Sequence, residues 1–173
     1  SRQNGEQIMR SLITGAAGSI GSELARQLAS FRPSRLILFE RAETPLYFIN
    51  LEIARTHPQI EVIPAMGDVT DGNRVEHIFA RYRPDYVFHA AAYKHVPMLE
   101  ANIREAVRNN VIGTQNVAES AIRHDVRKFV LISTDKAVNP SSVMGATKRI
   151  AERILLGSTM CRKASTEFRV VRF

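Results

Sequence analysis

A chain of 173 residues is long enough to bury one full hydrophobic core and too short to promise two. With 45% apolar and 24% charged residues it has the balance of an ordinary soluble protein, and no apolar run reaches the ~18 residues of a bilayer span. The net charge of +7 is spread among acidic residues along the chain, which argues against a nucleic-acid surface and suits an anionic small molecule equally well.

The single cysteine, Cys161, rules out an internal disulfide and a thiolate metal site, and points to a reducing compartment, the cytoplasm. His89 and His95 have no carboxylate or thiol at ligand spacing, so no metal site is expected. Residues 1–7 read as a polar lead-in or linker remnant without a signal-peptide core, and residues 8–173 as one domain.

Ser11-Leu12-Ile13-Thr14 predicts a first strand that runs into Gly15-Ala16-Ala17-Gly18-Ser19-Ile20-Gly21. Ile20, Leu24 and Leu28 then recur at helical spacing. Strand, glycine turn and helix in direct succession suit a dinucleotide pyrophosphate. Glycines let the backbone approach the phosphates, and the helix N-terminus offers free N–H groups and a positive dipole end. Gly15, Ala17, Gly18, Ser19, Ile20 and Gly21 are therefore candidate cofactor contacts.

A second strand, residues 35–39, ends in Glu40-Arg41. An acid at that tip accepts from the adenosine ribose and repels a 2′-phosphate, which favours NAD; Arg41 could pair with that phosphate, which favours NADP. NAD is the preferred reading. Thr44 and Pro45 predict a helix cap and first turn, with Leu46, Ile49 and Ile53 as a buried stripe. Residues 60–65 predict the third strand, followed by Gly67-Asp68-Val69. Asp68 there is either an acceptor for the adenine amino group or a turn aspartate, with Val69 beside it.

Val75, Ile78, Phe79 and Tyr82 predict a helix stopped by Pro84. A strand over residues 86–89 leads to Ala90-Ala91-Ala92, which leaves room for a flat ligand. One long helix is expected over residues 98–123, in which Asn110 either holds backbone or a water beneath the site or is plain helix-surface polarity. Phe129-Val130-Leu131-Ile132 then reads as a buried strand that delivers Thr134, Asp135 and Lys136 to the carboxyl edge of the sheet, where open α/β folds bind ligands. A helix is expected from Met144 to Leu156, with Lys148 one turn after Met144, and a last strand over residues 168–173. The alternation predicts an α/β, Rossmann-like, doubly wound parallel sheet with right-handed crossovers.

The segments Thr14 to Gly21, Gly67-Asp68-Val69, His89 to Pro97 and Ser133 to Lys148 resemble the extended short-chain dehydrogenase/reductase superfamily. Within it they are most similar to the CapD-like nucleotide-sugar 4,6-dehydratases of polysaccharide biosynthesis, which act on UDP-N-acetylglucosamine. The resemblance implies a bound NAD or NADP, a UDP-sugar substrate, and a C-terminal substrate-binding part missing from this chain. It also implies a parent that is either soluble or membrane-anchored with this part in the cytoplasm, and leaves a homo-oligomer open.

Most members of the superfamily place a tyrosine base where this chain has Met144, and a thioether transfers no proton. The resemblance therefore assigns the chemistry to the neighbouring pair. Lys136 would take the C5 proton, Asp135 would protonate the leaving C6 hydroxyl, and Thr134 would hold the 4-hydroxyl. Lys148 would hold the nicotinamide ribose, while Lys94, His95 and Asn139 would meet the substrate. A nucleotide-sugar 4-epimerase and a non-catalytic dinucleotide-binding module are the competing readings; Met144 favours the second.

Overall fold

The computed structural model describes residues 9–173, so the expected lead-in at 1–7 lies outside the described residues. Six strands form one sheet: β1 (Arg10–Thr14), β2 (Arg35–Glu40), β3 (Glu61–Met66), β4 (Tyr86–His89), β5 (Lys128–Ser133) and β6 (Glu167–Arg172). Their order is β3-β2-β1-β4-β5-β6, and every neighbouring pair is parallel. The winding reverses between β1 and β4, which opens a cleft at their carboxyl ends. The expected doubly wound Rossmann-like sheet is thus present.

The helices are α1 (Ser19–Ser30), α2 (Glu43–Thr56), α3 (Gly72–Tyr82), α4 (Val96–Ala101), α5 (Ile103–Val107), α6 (Gly113–Arg123), α7 (Val143–Gly157) and α8 (Thr159–Lys163). Alternation along the strands decides which face each side chain feeds. Ile13, Leu36 and Leu38 pack with Ala25, Leu46 and Ile49 of α1 and α2. Leu12, Ile37 and Phe129 turn the other way, onto Val75 and Phe79 of α3, Val117 of α6 and Leu155 of α7. Because helices cover both faces, β2 and β5 carry continuous apolar runs, Leu36–Phe39 and Phe129–Ile132, rather than an apolar residue at every second position.

Three local expectations need correction. The buried stripe of α1 is Gly21, Ala25 and Ala29, while Ile20 is exposed. Small residues let this helix lie close to the sheet, and Leu24 and Leu28 of the expected stripe pack, partly buried, against the same core. The N-cap of α2 is Ala42, so Thr44 and Pro45 fall inside the first turn. The long helix expected over 98–123 is broken at Asn102 (φ −136°, ψ 54°) and widened into a π-helical turn over Arg108–Ile112. That turn buries Asn109, Asn110 and Val111 in succession, which the 3.6-residue repeat of an α-helix does not allow on one narrow face.

Candidate functional site

The floor of the cleft begins at the glycine turn. Gly15 has φ +66°, and a Cβ on Gly21 would come within 1.9 Å of the Gly15 carbonyl oxygen, so α1 starts pressed against the end of β1. Gly18 is the N-cap of α1, which has neither a side-chain cap nor an acidic residue in its first turn. Among the described residues no side chain is bonded to its first N–H groups. Above them Lys94 Nζ donates to Ser19 Oγ at 2.8 Å.

Glu40 at the tip of β2 is held by backbone. Its carboxylate accepts from the N–H of Ala17 at 3.2 Å, Arg41 at 2.9 Å and Ala42 at 3.1 Å. Arg41 turns across the cleft, donating to the Tyr93 hydroxyl at 2.5 Å, with Asp68 3.6 Å away. Asp68 also accepts from the Thr70 N–H at 2.9 Å. Partial burial opposes its ionisation, but the bonds from Thr70 and the Arg41 charge win, and its carboxyl lies below the usual range.

These groups line a crevice of about 550 Å³ that takes in Gly15, Gly18, Glu40, Arg41, Asp68, Val69, Ala90, Ala91 and Ala92. Asn109, which sequence reasoning passed over for its neighbour, lines it too. Across Ala90, Ala92 and Tyr93 it adjoins a second crevice of about 730 Å³ at the ends of β4 and β5. Ile20, Lys94, Thr134, Lys136, Met144 and Lys148 line that one. A third hollow, beside α4, is lined by Arg41, Lys94 and His95 among others.

Six predicted site residues line none of these spaces. Ala17 acts through its N–H on Glu40, and Ser19 through its hydroxyl under Lys94. Gly21 gives α1 its close approach. Asn110 is buried and fully engaged: it accepts from the Tyr93 N–H at 2.8 Å and from Asn109 Nδ2 at 3.0 Å, and donates to the Tyr93 carbonyl at 3.1 Å and Thr147 Oγ1 at 3.0 Å. It holds backbone, as one of its two readings required, and has no group left for a ligand. Asn139 is exposed with φ +47°, a turn residue of the loop after β5.

Asp135 also lies outside the lining. Residues Asp135–Ala137 form a single 3₁₀ turn in which Thr134 Oγ1 donates to Asp135 Oδ1 at 3.1 Å and accepts from the Lys136 N–H at 3.3 Å. The turn rests on α7, where a Cβ on Gly145 would meet the Lys136 carbonyl oxygen at 2.3 Å. Gly145 is a positional requirement that sequence reasoning missed. The start of α7 is capped by Ser142 Oγ, 3.1 Å from the Gly145 N–H, and by Glu100 Oε1, 2.7 Å from the Val143 N–H.

Lys148 is 7% exposed and donates from Nζ to the Ile132 carbonyl at 2.7 Å. Burial pulls its pKa down to about 8, against the attraction of Glu152 one turn further on. Glu152, 2% exposed, accepts from Ser133 Oγ at 2.6 Å and from both Arg172 Nε and Nη2 at 2.9 and 2.6 Å. These bonds tie α7 to the ends of β5 and β6, and Arg172 first among them holds the Glu152 carboxyl below its usual range. Met144 is nearly buried and packs with Leu99 and Ala106, which is a core role.

His89 lies under the cleft. Thr114 Oγ1 donates to the Asn110 carbonyl at 2.7 Å, so towards His89 Nε2, 2.9 Å away, it accepts. Nε2 therefore carries the proton, and Nδ1 accepts from Thr14 Oγ1 at 2.6 Å. Burial first, then the charge of Lys148, drives the His89 pKa down to about 3.

Fold and cleft together define an α/β domain of the doubly wound class with its ligand space at the switch point. The chain belongs to the family described as polysaccharide biosynthesis protein, whose profile matches residues 11–173. The capsular polysaccharide biosynthesis protein CapD of Staphylococcus aureus is 50% identical over 163 residues, 94% of this chain and 27% of that protein. A UDP-N-acetylglucosamine 4,6-dehydratase (inverting) of Campylobacter jejuni is 33% identical over 172 residues, 98% of this chain and 49% of that one. Proteins named UDP-glucose 4-epimerase are among the relatives as well. The X-ray structure of Pen from Bacillus thuringiensis superposes with a TM-score of 0.87 at 34% identity, covering 98% of this chain and 51% of that one. The chain thus spans between about a quarter and half the length of these proteins.

Proposed function

We propose that this chain is the dinucleotide-binding and catalytic part of a nucleotide-sugar 4,6-dehydratase, acting on UDP-N-acetylglucosamine in polysaccharide synthesis with NAD as cofactor. The observation that carries the reading is that Thr134, Lys136 and Lys148 line one crevice, and that this crevice adjoins the one floored by the glycine turn. The uncapped start of α1, the Lys94 ammonium above it and the Glu40 carboxylate fit a pyrophosphate and an adenosine ribose.

A bound nicotinamide supplies hydride acceptance from C4 of the sugar and hydride return to C6. The chain's own residues handle the protons. Thr134 holds the 4-hydroxyl. Lys148, already close to losing its proton, favours loss of the hydroxyl proton electrostatically and steadies the ribose. Lys136 takes the proton from C5, acidified by the adjacent ketone, and returns a proton to C5 once C6 is reduced. Asp135 gives its proton to the departing C6 hydroxyl, which leaves as water, and regains one from solvent, to which the 4-hydroxyl proton is lost.

With the full-length parent and UDP-N-acetylglucosamine in D₂O, Lys136→Ala should abolish deuterium incorporation at C5. Undiminished exchange in that variant would remove Lys136 as the base. One observation favours a second reading, a nucleotide-sugar 4-epimerase: the Asp135 carboxylate engages Thr134 and lies outside the crevice lining, and epimerisation needs no acid at C6. Product NMR separates the two, since only dehydration makes a 4-keto-6-deoxy sugar.

A further inference from the structure

Glu40 and Arg41, adjacent at the tip of β2, point to opposite cofactors at the sequence level. The Arg41 guanidinium belongs to the loop after β2, yet its partners come from two other loops. The Tyr93 hydroxyl, after β4, accepts from Nη1 at 2.5 Å, and the guanidinium carbon lies 4.8 Å from the centre of the Tyr93 ring. Asp68, after β3, stands 3.6 Å from the same nitrogen. Neither partner is loose. Tyr93 has both its backbone N–H and carbonyl bound by the buried Asn110 side chain, and Asp68 is fixed by the Thr70 N–H.

Glu40, immediately before Arg41, is equally fixed, by three backbone N–H groups. A phosphate on the adenosine 2′-oxygen would thus meet a stationary carboxylate. The neighbouring cation that could compensate is already balanced by Asp68 and hydrogen-bonded by Tyr93.

We propose that Asp68 and Tyr93 set the cofactor selectivity of this cleft by holding Arg41 away from the adenosine ribose, so that the chain takes the dinucleotide without a 2′-phosphate. This rests on the dinucleotide reading above and assigns a selectivity role to two residues that need not touch the ribose themselves. It also reconciles the acid and the base at the tip of β2: Glu40 faces the ribose, and Arg41 braces the mouth of the cleft.

The test is a fluorescence titration of the full chain with NADH and with NADPH, comparing the ratio of the two dissociation constants. The unaltered chain should bind NADH more tightly. Asp68→Asn combined with Tyr93→Phe should narrow the ratio about fivefold, the scale on which exposed ion pairs and hydrogen bonds act. Tyr93→Phe alone, which keeps the ring and its packing, should move the ratio the same way by less. In an Arg41→Ala background Tyr93→Phe should no longer move it.

An unchanged ratio in the double variant, with NADH still bound, would overturn the restraint and leave the dinucleotide reading standing. Loss of NADPH binding on Arg41→Ala alone would show the arginine already on the phosphate and overturn it too. A chain that binds neither dinucleotide would remove both.

Discussion

His89 gives the sharpest test of the cleft's construction, because its state is dictated from both sides. The ring is fully buried between two threonine hydroxyls, and its pKa falls from 6.5 to about 3 through burial and the nearby Lys148 charge. In the unfolded chain it takes a proton below about pH 6.5, while in the folded chain it stays neutral until about pH 3. The unfolded state thus binds more protons in that window, and folding stability falls as the pH falls from 6.5 towards 3. Each pH unit costs about 1.4 kcal/mol, so the loss from this residue reaches about 2 kcal/mol at pH 5. At that pH most carboxylates are still ionised and add little. Urea unfolding at pH 7 and pH 5 should show this excess loss in the parent and not in His89→Gln, whose side chain does not titrate. The imidazole ¹⁵N spectrum should show the Nε2–H tautomer at both pH values. Equal pH dependence of the two proteins, or a doubly protonated ring at pH 5, would refute the directed chain from Thr14 through His89 to Thr114.

Lys148 should act with the same sign of slope, at high pH. Its folded pKa of about 8 lies below the ordinary 10.5, so stability rises between those values as the folded chain sheds a proton that the unfolded chain keeps. Lys148→Met should abolish that rise in urea midpoints between pH 7.5 and 10; a parent profile as flat as the variant's would contradict it. Gly145→Ala would place a Cβ 2.3 Å from the Lys136 carbonyl oxygen, and should cost roughly 1–3 kcal/mol by overpacking and displace the Lys136 turn. Gly157→Ala on the same helix meets nothing within 4 Å and should be neutral or add up to about 1 kcal/mol of helix propensity. Thermal unfolding distinguishes them, and equal melting temperatures would mean that the turn does not rest on Gly145 as described.

The central strands β1, β2 and β5 were legible because each has an apolar stretch buried on two faces and ends at a residue that must turn, as at Thr14-Gly15 and Glu40-Arg41. The glycine turn was legible for the same reason: it sits between a strand and a helix, and only a backbone without Cβ atoms fits there. What periodicity could not convey was anything that depends on a helix leaving its regular repeat. Asn102 and the widened turn at Arg108–Ile112 look, in sequence, like the interior of one polar helix. Hence Asn110 was found but not its bonds, and Asn109 was passed over. The direction of Asp135 depends on the 3₁₀ turn and the hydroxyl before it, neither of which a motif encodes. In sequence Glu152 is one more charge on a helix, and only the strand ends that carry Ser133 and Arg172 make it a tie.

The widened turn at Arg108–Ile112 carries one residue more than the α-helical path on either side of it requires. That surplus lets two screw registers coexist on one rod: within the turn, Asn109 lines the ligand space and Asn110 holds the Tyr93 backbone, and downstream, Val117 and Ala121 face the sheet. Excising a single residue there would re-phase everything beyond it by about 100°. The chain could then keep its asparagines inward or its valine and alanine inward, but not both. Length in this segment is therefore as constrained as composition, and a one-residue gap would be felt more sharply here than several ordinary substitutions.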